Sequence, residues 1–180
     1  MAHEIETKIL GVDKDAIISR LTGLGAEKIL QTRFMVRWFR PKGTKEEEIH
    51  WFLRIRSGLD GNAAVTWKGP SEILGVSRKH KEINFDVSDP DQTADLFEQL
   101  GLEQRAYQEK DRISWIYKNW KFDLDQYPGM PAYLEIEGMS EEHIQEAIKF
   151  LELGSHKMSA EGERVLIMTE YGLNWYDMRF

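Results

Sequence analysis

Apolar and polar side chains alternate with a period of two in several short stretches of the chain, which is the pattern of half-buried β-strands. In the first stretch, HEIETKIL (residues 3–10), Glu4, Glu6 and Lys8 share one face, and mainly apolar side chains occupy the other. Turn-forming segments separate this stretch from those that follow. The further strands predicted in this way are residues 34–40, 49–57, 63–69, 81–87, 112–119, 120–126 and 133–138.

An amphipathic helix is predicted after three of the strands, so a strand-turn-helix unit occurs in residues 3–25, 81–101 and 133–154. In the second unit, Asp89 is suited to the N-cap and Pro90 to the first helical position. The apolar stripe predicted for this helix consists of Leu96, Phe97 and Leu100. The mixture of helical units and additional strands indicates an α+β fold.

The charged side chains on the polar strand faces are sorted by sign. The pairs that share a face at a spacing of two include Arg54 and Arg56, Lys110 and Arg112, Asp123 and Asp125, and Glu135 and Glu137. In the strand that precedes the second helix, one face carries Lys79 and Lys81, and the other carries Arg78, His80 and Glu82. A sheet with one solvated face would also produce such alternation. Like charges at this spacing repel each other mildly, so the sorting favours a site for a polyanion and its metal ions.

Eight antiparallel strands can close into a barrel whose interior is lined by every second residue. If helices cover the apolar outer face, the charged faces line an internal tunnel. Arginine and lysine would bind phosphate oxygens there, and carboxylates would hold Mg²⁺ or Mn²⁺. The sequence thus predicts a single domain over residues 1–180 with an α+β fold: an eight-stranded antiparallel closed β-barrel with a charged interior and helices on its outside.

Composition narrows the classes of function. The chain has 180 residues and no cysteine, which excludes a disulfide framework and a thiolate metal site. A net charge of −7 argues against nucleic-acid binding. The sequence shows no secretory signal and no apolar segment of membrane-spanning length. We therefore expect a cytoplasmic protein, a monomer or homodimer, that binds neither nucleic acid nor membranes.

Five motifs occur in order along the chain: E-x-E-x-K in EIETK, the arginine pair of LRIR, the lysine of TWKGP, the arginine that follows YQEKD, and LDQYPGMPAYLEIEG. Together they resemble the CYTH superfamily, the triphosphate tunnel metalloenzymes. That superfamily includes class IV adenylyl cyclases, thiamine triphosphatases and inorganic tripolyphosphatases. The resemblance implies an eight-stranded antiparallel tunnel that is open at both ends.

The resemblance also implies roles for individual residues. The residues that match metal-binding positions, for two expected Mg²⁺ or Mn²⁺ ions, are Glu4, Glu6, Asp125, Glu135 and Glu137. The residues that match phosphate-binding positions are Lys8, Arg54, Arg56, Lys68, Lys81, Lys110 and Arg112. Of these, the residues expected to act in catalysis are Lys8, Arg56, Lys68 and Arg112. The chain departs from the family pattern at Arg33 and Arg37, and at Asn84, where a glutamate is common.

These roles favour hydrolysis of a small triphosphate, namely tripolyphosphate, ATP or thiamine triphosphate. Class IV adenylyl cyclase activity is the alternative, and it requires an adenine pocket that no residue set in the sequence indicates. A non-catalytic module that binds polyphosphate or nucleotide is a second alternative, although a pure anion-binding channel would do better without carboxylates. We interpret Trp38, Trp51 and Trp67 as packing residues, and the aromatic C-terminal tail as either a plug or a lid.

Overall fold

A computed structural model of the protein describes residues 3–180, which form eleven strands and four helices. The strands are β1 (His3–Leu10), β2 (Glu27–Pro41), β3 (Phe52–Gly58), β4 (Ala63–Lys68), β5 (Glu72–Leu74), β6 (Ser77–Val87), β7 (Leu102–Tyr117), β8 (Trp120–Gln126), β9 (Tyr133–Gly138), β10 (Met158–Ser159) and β11 (Asp177–Met178). The helices are α1 (Lys14–Gly23), α2 (Pro90–Gln99), α3 (Glu141–Phe150) and α4 (Glu163–Glu170). None of these helices has the length and apolar composition needed to cross a membrane.

Eight of the strands close into a barrel in the order β1-β9-β8-β7-β2-β3-β4-β6, and β6 pairs with β1 to complete the ring. Every neighbouring pair in the ring is antiparallel. The short strands β5 and β10 extend the sheet beside β6 and β1, and β11 pairs with β7 in parallel. The predicted fold, an α+β structure with a closed eight-stranded antiparallel barrel, is confirmed.

The strand register directs charged side chains of every barrel strand except β2 to the interior, where β2 contributes Phe34, Val36 and Trp38. Residues directly opposite each other on antiparallel strands project to the same side of the sheet. Lys8 lies opposite Glu135, and Glu135 lies opposite Asp123 on the next strand. Arg112 lies opposite Asp125 in the same way. The alternation in the sequence therefore becomes a barrel whose interior carries acids and bases side by side.

Helices α1 and α3 cover the outer face of the barrel at β1, β8 and β9. Ile17 and Leu21 of α1 and Ile144 of α3 pack with Ile9 and Ile136 in one buried apolar cluster. Burying an aliphatic side chain of this size stabilises a fold by about 1.5–3 kcal/mol. The cluster therefore holds the apolar faces of these strands outward and the charged faces inward.

Helix α2 packs on β3 and β7 through a different stripe from the predicted one. Ala94 and Phe97 contact the cluster that contains Ile55, whereas Leu96 and Leu100 are 56% and 69% exposed. The prediction was thus correct for Phe97 and wrong for the two leucines. Positions 94 and 97 are one turn apart and share a helix face, so the small side chain of Ala94 marks the side that lies on the sheet.

The predicted start of α2 is confirmed, and α3 begins in the same way. Asp89 and Ser140 are N-caps whose side chains accept hydrogen bonds from backbone N–H groups in the first helical turn. Lys118, in the turn between β7 and β8, has a φ of 54°. Four strand starts differ from the prediction: β2, β6 and β7 begin earlier, at Glu27, Ser77 and Leu102, and β3 begins later, at Phe52, after a 3₁₀ turn at residues 46–48.

The C-terminal segment packs into one end of the barrel. Leu166 and Ile167 of α4 are buried with Trp175 against the interior-facing Leu10 and Val36. The Gln108 amide of β7 donates a hydrogen bond to the backbone carbonyl of Trp175. Of the two roles considered for the tail, the structure supports a plug. The opening that the family resemblance implied at this end is filled by α4 and the tail.

Candidate functional site

The β1–β6 pairing brings two glutamates and a histidine together in the barrel. Glu4 lies opposite His80, and Glu6 lies opposite Arg78. One ligand atom from each of Glu4, Glu6 and His80 lies within 4.8 Å of the others, and His80 Nε2 is 2.7 Å from Glu4 Oε2. The Glu6 side chain is fully buried and accepts a 2.6 Å hydrogen bond from Arg78 Nε. We refer to Glu4, Glu6 and His80 as the carboxylate–histidine cluster.

Cations keep the carboxylates of this cluster ionised. Burial would raise the pKa values of Glu4 and Glu6, but nearby cations reverse the effect, and Lys68 acts on both carboxylates. Both pKa values therefore fall below the usual range. Lys68 Nζ lies 2.6 Å from Glu4, 3.3 Å from Glu6 and 3.2 Å from Glu82. Burial would lower the pKa of Lys68, and these carboxylates raise it instead. The cluster therefore holds fixed negative charge around one ammonium group.

A second group of ion pairs lines β1, β7, β8 and β9. Arg112 donates through Nε to Asp125 at 2.6 Å, and Lys110 Nζ lies 2.9 Å from the same carboxylate. Lys8 Nζ is 3.1 Å from Glu135. All five side chains are largely buried, so each charge depends on its partners in this network.

The interior network extends to Asp123, Lys121 and Glu137. Lys121 Nζ lies 3.3 Å from Asp123 and 2.7 Å from Glu137. Burial raises the pKa of Glu137 to about 7, although the Lys121 ammonium acts in the opposite direction. Glu137 therefore titrates near neutral pH. Asp123, in contrast, has its pKa lowered to about 2, because Arg112 and Lys121 outweigh the effect of burial.

Two arginines of β3 have no carboxylate partner among residues 3–180. No carboxylate oxygen of the described chain lies within 4.0 Å of Arg54 or Arg56, whereas Arg112 contacts three. The Arg54 side chain is 8% exposed, and its Nε has no hydrogen-bond partner in this part of the chain. Burial and the neighbouring guanidinium groups of Arg54 and Arg112 lower the pKa of Arg56 to about 9, so Arg56 stays charged at neutral pH. These two groups are suited to an incoming anion.

A cavity of about 490 Å³, counting space open to solvent, lies in the barrel interior between Arg54, Lys68 and Arg112. Its lining residues are Trp38, Phe52, Arg54, Thr66, Lys68, Arg78, Arg112, Glu135, Gly162, Glu163, Arg164 and Trp175. The basic residues come from four barrel strands and α4. We refer to this space as the tunnel cavity.

The structure places eleven of the twelve predicted site residues on the interior face. They are Glu4, Glu6, Lys8, Arg54, Arg56, Lys68, Lys110, Arg112, Asp125, Glu135 and Glu137. Lys81 is the exception and a correction. It lies between His80 and Glu82, whose side chains face inward, so its own side chain projects from the outer face. The individual roles of the interior residues remain predictions.

Arg33 and Arg37, at which the chain departs from the family pattern, also lie on the outer face. Arg33 forms two hydrogen bonds to Asp111, of 2.6 and 2.9 Å. Arg37 Nη1 lies 2.9 Å from Asp91 of α2. Both guanidinium groups therefore hold the outside of the barrel together and do not extend the anion site.

The interior residues Arg78, His80 and Glu163 were not among the predicted site residues. The spacing of Arg78 and His80 already put them on one strand face, but only the pairing with Glu6 and Glu4 shows that this face is internal. Glu163 gave no sequence pattern, because its position depends on how α4 enters the barrel.

The carboxylate–histidine cluster fits a divalent cation. Two carboxylates and an imidazole are suitable ligands for Mn²⁺, and carboxylates suit Mg²⁺. Buried Nδ1 of His80 has no hydrogen-bond partner among the described residues, and neither has Oδ1 of Asp123. Of the predicted metal ligands, Glu137 lies opposite Glu6 in the register, whereas Asp125 is occupied by Arg112 and Lys110.

Comparison with known proteins agrees with this geometry. The model of the CYTH domain matches residues 2–163. The chain belongs to the CYTH domain family. No curated protein matches the chain with statistical significance.

Solved structures share the fold of this CYTH protein at low sequence identity. The PH1819 protein from Pyrococcus horikoshii superposes with a TM-score of 0.73 at 23% identity, covering 93% of this chain and 99% of its own. A candidate adenylyl cyclase from Hippeastrum, described as having a dominant triphosphatase activity, gives a TM-score of 0.69 at 13% identity over 95% and 97% of the two chains. A candidate adenylate cyclase from Vibrio parahaemolyticus gives 0.67 at 16% identity over 98% and 92%. At these identities the likeness establishes the barrel fold alone.

Proposed function

We propose that the protein is a divalent-metal-dependent enzyme that acts on a triphosphate in the barrel, and that it hydrolyses this substrate. The observation that carries the proposal is the position of Arg54 and Arg56. Both are charged, lie in the barrel interior and have no carboxylate partner among residues 3–180, while the carboxylate–histidine cluster lies across the same interior. Unpaired buried cations are costly unless an anion neutralises them, and a linear triphosphate with its metal ions satisfies both sets of charges.

The protein's own residues would bind and orient the phosphates. Arg54 and Arg56 would donate to phosphate oxygens, and Lys68 and Arg112 line the same space and would neutralise further charge. Fixing the chain in line with the nucleophile lowers the barrier by pre-organisation and electrostatic stabilisation. Besides this cradle and a bound divalent cation, hydrolysis requires only a positioned water.

A divalent cation fits the acidic part of the site. Glu4, Glu6 and His80 would hold Mg²⁺ or Mn²⁺, with Glu135 and Glu137 for a second ion, and the bound cation would neutralise phosphate oxygens and increase the acidity of water. Membership of the CYTH family and the triphosphatase activity described for the Hippeastrum protein support this assignment.

Adenylyl cyclase activity is the second candidate, because an aromatic recess adjoins the tunnel cavity. This recess, of about 430 Å³ including space open to solvent, shares Trp38, Phe52 and Trp175 with the tunnel cavity and adds Trp51. An adenine or another aromatic group can stack on such side chains. The recess therefore favours an organic triphosphate over an inorganic one, which the sequence analysis did not foresee. Trp67, in contrast, lies on the outer face opposite Leu53.

A product assay separates these candidates. The protein is incubated with Mg²⁺ or Mn²⁺ and, separately, with ATP, tripolyphosphate and thiamine triphosphate, and orthophosphate, pyrophosphate and cyclic AMP are measured. Orthophosphate that disappears on chelation or in Glu4→Gln supports the hydrolase, and the fastest substrate identifies its specificity. Cyclic AMP with pyrophosphate supports the cyclase. No product from any substrate, with intact binding, would contradict enzymatic function and favour a binding module.

A further inference from the structure

Glu163, the first residue of α4, places a carboxylate inside the barrel. Gly162 precedes it and lies beside the inward-directed Arg78 side chain, so a Cβ at this position would be 3.3 Å from Arg78 Nη1. Helix α4 thus begins within the interior and not above it. The Glu163 side chain is 9% exposed, and its carboxylate is directed toward β7, β9 and Tyr127, which directly follows β8.

The barrel itself holds both oxygens of this carboxylate. Lys110 Nζ lies 2.6 Å from Oε1, and the Tyr133 hydroxyl donates to the same oxygen at 2.7 Å. The Tyr127 hydroxyl donates to Oε2 at 2.9 Å. Burial would raise the pKa of Glu163, but Lys110, Arg54 and Lys8 lower it well below its usual range. Glu163 is therefore a fixed anion, held by the kinds of donor that would bind a phosphate group.

Glu163 separates Lys110 from the tunnel cavity. It lines the cavity, whereas Lys110 is absent from the lining formed by residues 3–180. Lys110 is directed toward the interior, as predicted from the sequence, but Glu163 and Asp125 already occupy its ammonium group. An anion that extended from Arg54 toward Lys110 would meet the Glu163 carboxylate and be repelled. Behind it, Leu166 and Ile167 fill the barrel with apolar side chains.

We propose that Glu163 sets the length of the phosphate chain that the tunnel accepts, by ending the anion site short of Lys110. This specificity role rests on the proposed triphosphate function and extends it. It implies that a fourth phosphate group gains no additional cationic contact. Selection for a triphosphate over longer linear polyphosphates would then be a property of α4 and not of the barrel strands.

Binding of pyrophosphate, tripolyphosphate and tetrapolyphosphate tests this role. Because Trp38 and Trp175 line the cavity, tryptophan fluorescence after rapid mixing in Mg²⁺ reports binding before turnover. In the wild type, we expect tetrapolyphosphate to bind no more tightly than tripolyphosphate. In Glu163→Gln, which keeps the side-chain shape, we expect tetrapolyphosphate to bind about tenfold or more tighter, the gain of one charge-assisted contact. Pyrophosphate binding should change little.

Glu161→Gln is the matched control, because it removes the same charge from an exposed residue two positions earlier. If Glu163→Gln binds all three anions more tightly by the same factor, Glu163 acts only through its overall charge, and the proposal is overturned. A wild-type protein that binds tetrapolyphosphate about tenfold more tightly than tripolyphosphate would also overturn it, whether or not the variant folds. If tripolyphosphate does not bind the wild type at all, the proposed function itself fails. If it binds but the length dependence is the same in wild type and variant, only the role of Glu163 fails.

Discussion

Replacing Arg54 by methionine is expected to stabilise the ligand-free protein and to weaken triphosphate binding. Arg54 is 8% exposed and forms no direct ion pair with a carboxylate among residues 3–180, so its burial is compensated only at longer range, by carboxylates such as Glu163. The desolvation of such an ion costs several kcal/mol. Against this, the contact of its guanidinium with the Trp38 ring, 5.4 Å from the centroid, contributes about 0.5–2 kcal/mol.

The net gain in the free energy of unfolding should be about 1–2 kcal/mol, because methionine has similar volume and no charge. For a chain of this length, that gain raises Tm by about 2–8 °C. Loss of hydrogen bonds from a charged group to phosphate costs about 1.5–3 kcal/mol, or about 10- to 150-fold in Kd. Melting without ligand and fluorescence titration with tripolyphosphate measure the two effects.

Arg20→Met provides the matched control, since Arg20 lies in α1 and pairs with Glu152 on the surface. We expect this variant to bind tripolyphosphate like the wild type. A less stable Arg54→Met protein with unchanged affinity would refute the reasoning, because Arg54 would then be a structural residue. Equal losses of affinity in both variants would mean that only overall charge matters.

Three further predictions follow from the interior charges. Native Glu137 keeps its proton up to about pH 7, whereas the carboxyl of the unfolded chain loses it near pH 4.5. Between these pH values the folded state binds more protons, so the free energy of unfolding should fall by at most about 3 kcal/mol as pH rises from 4.5 to 7. Urea unfolding of chelator-treated protein should show this decline in the wild type and not in Glu137→Gln. The same pH dependence of stability in both proteins would contradict the raised pKa of Glu137. Glu6→Gln should lower the free energy of unfolding by about 3–5 kcal/mol, because Arg78 loses its buried partner; a change within about 0.5 kcal/mol, the usual range for surface substitutions, would contradict the pairing. Arg56→Ala should weaken tripolyphosphate binding far more than orthophosphate binding, and equal losses in competition titrations would mark Arg56 as structural.

The barrel and its charged interior were predictable because a strand has only two faces. Once the apolar face was assigned to the helices, positions such as Lys8, Arg112 and Glu135 had to share the interior, and the register agrees. The same rule could not decide the place of Lys81, because both faces of its strand carry charged side chains. Its spacing from His80 put it on the opposite face, but the sequence did not show which face of that strand was internal.

The sequence left open whether the tail forms a plug or a lid, because its contacts join residues far apart in the chain without any periodic pattern. Glu163 and Lys110 are 53 positions apart, and their pairing depends on the path of the chain between β10 and α4. Trp175 is likewise fixed by Gln108 of β7, 67 positions away. An aromatic tail suggests packing, but its composition does not show that the packing lies inside the barrel.

The most direct test of the central claim is whether a divalent cation strengthens binding of a triphosphate in the barrel. Tripolyphosphate is titrated into the protein with rapid mixing, in Mg²⁺ and in chelator, with fluorescence of the cavity tryptophans as the readout. We predict binding about tenfold or more tighter in Mg²⁺, with the difference lost in Glu4→Gln. Equal affinity in Mg²⁺ and chelator, or an undiminished cation effect in Glu4→Gln, would contradict the account.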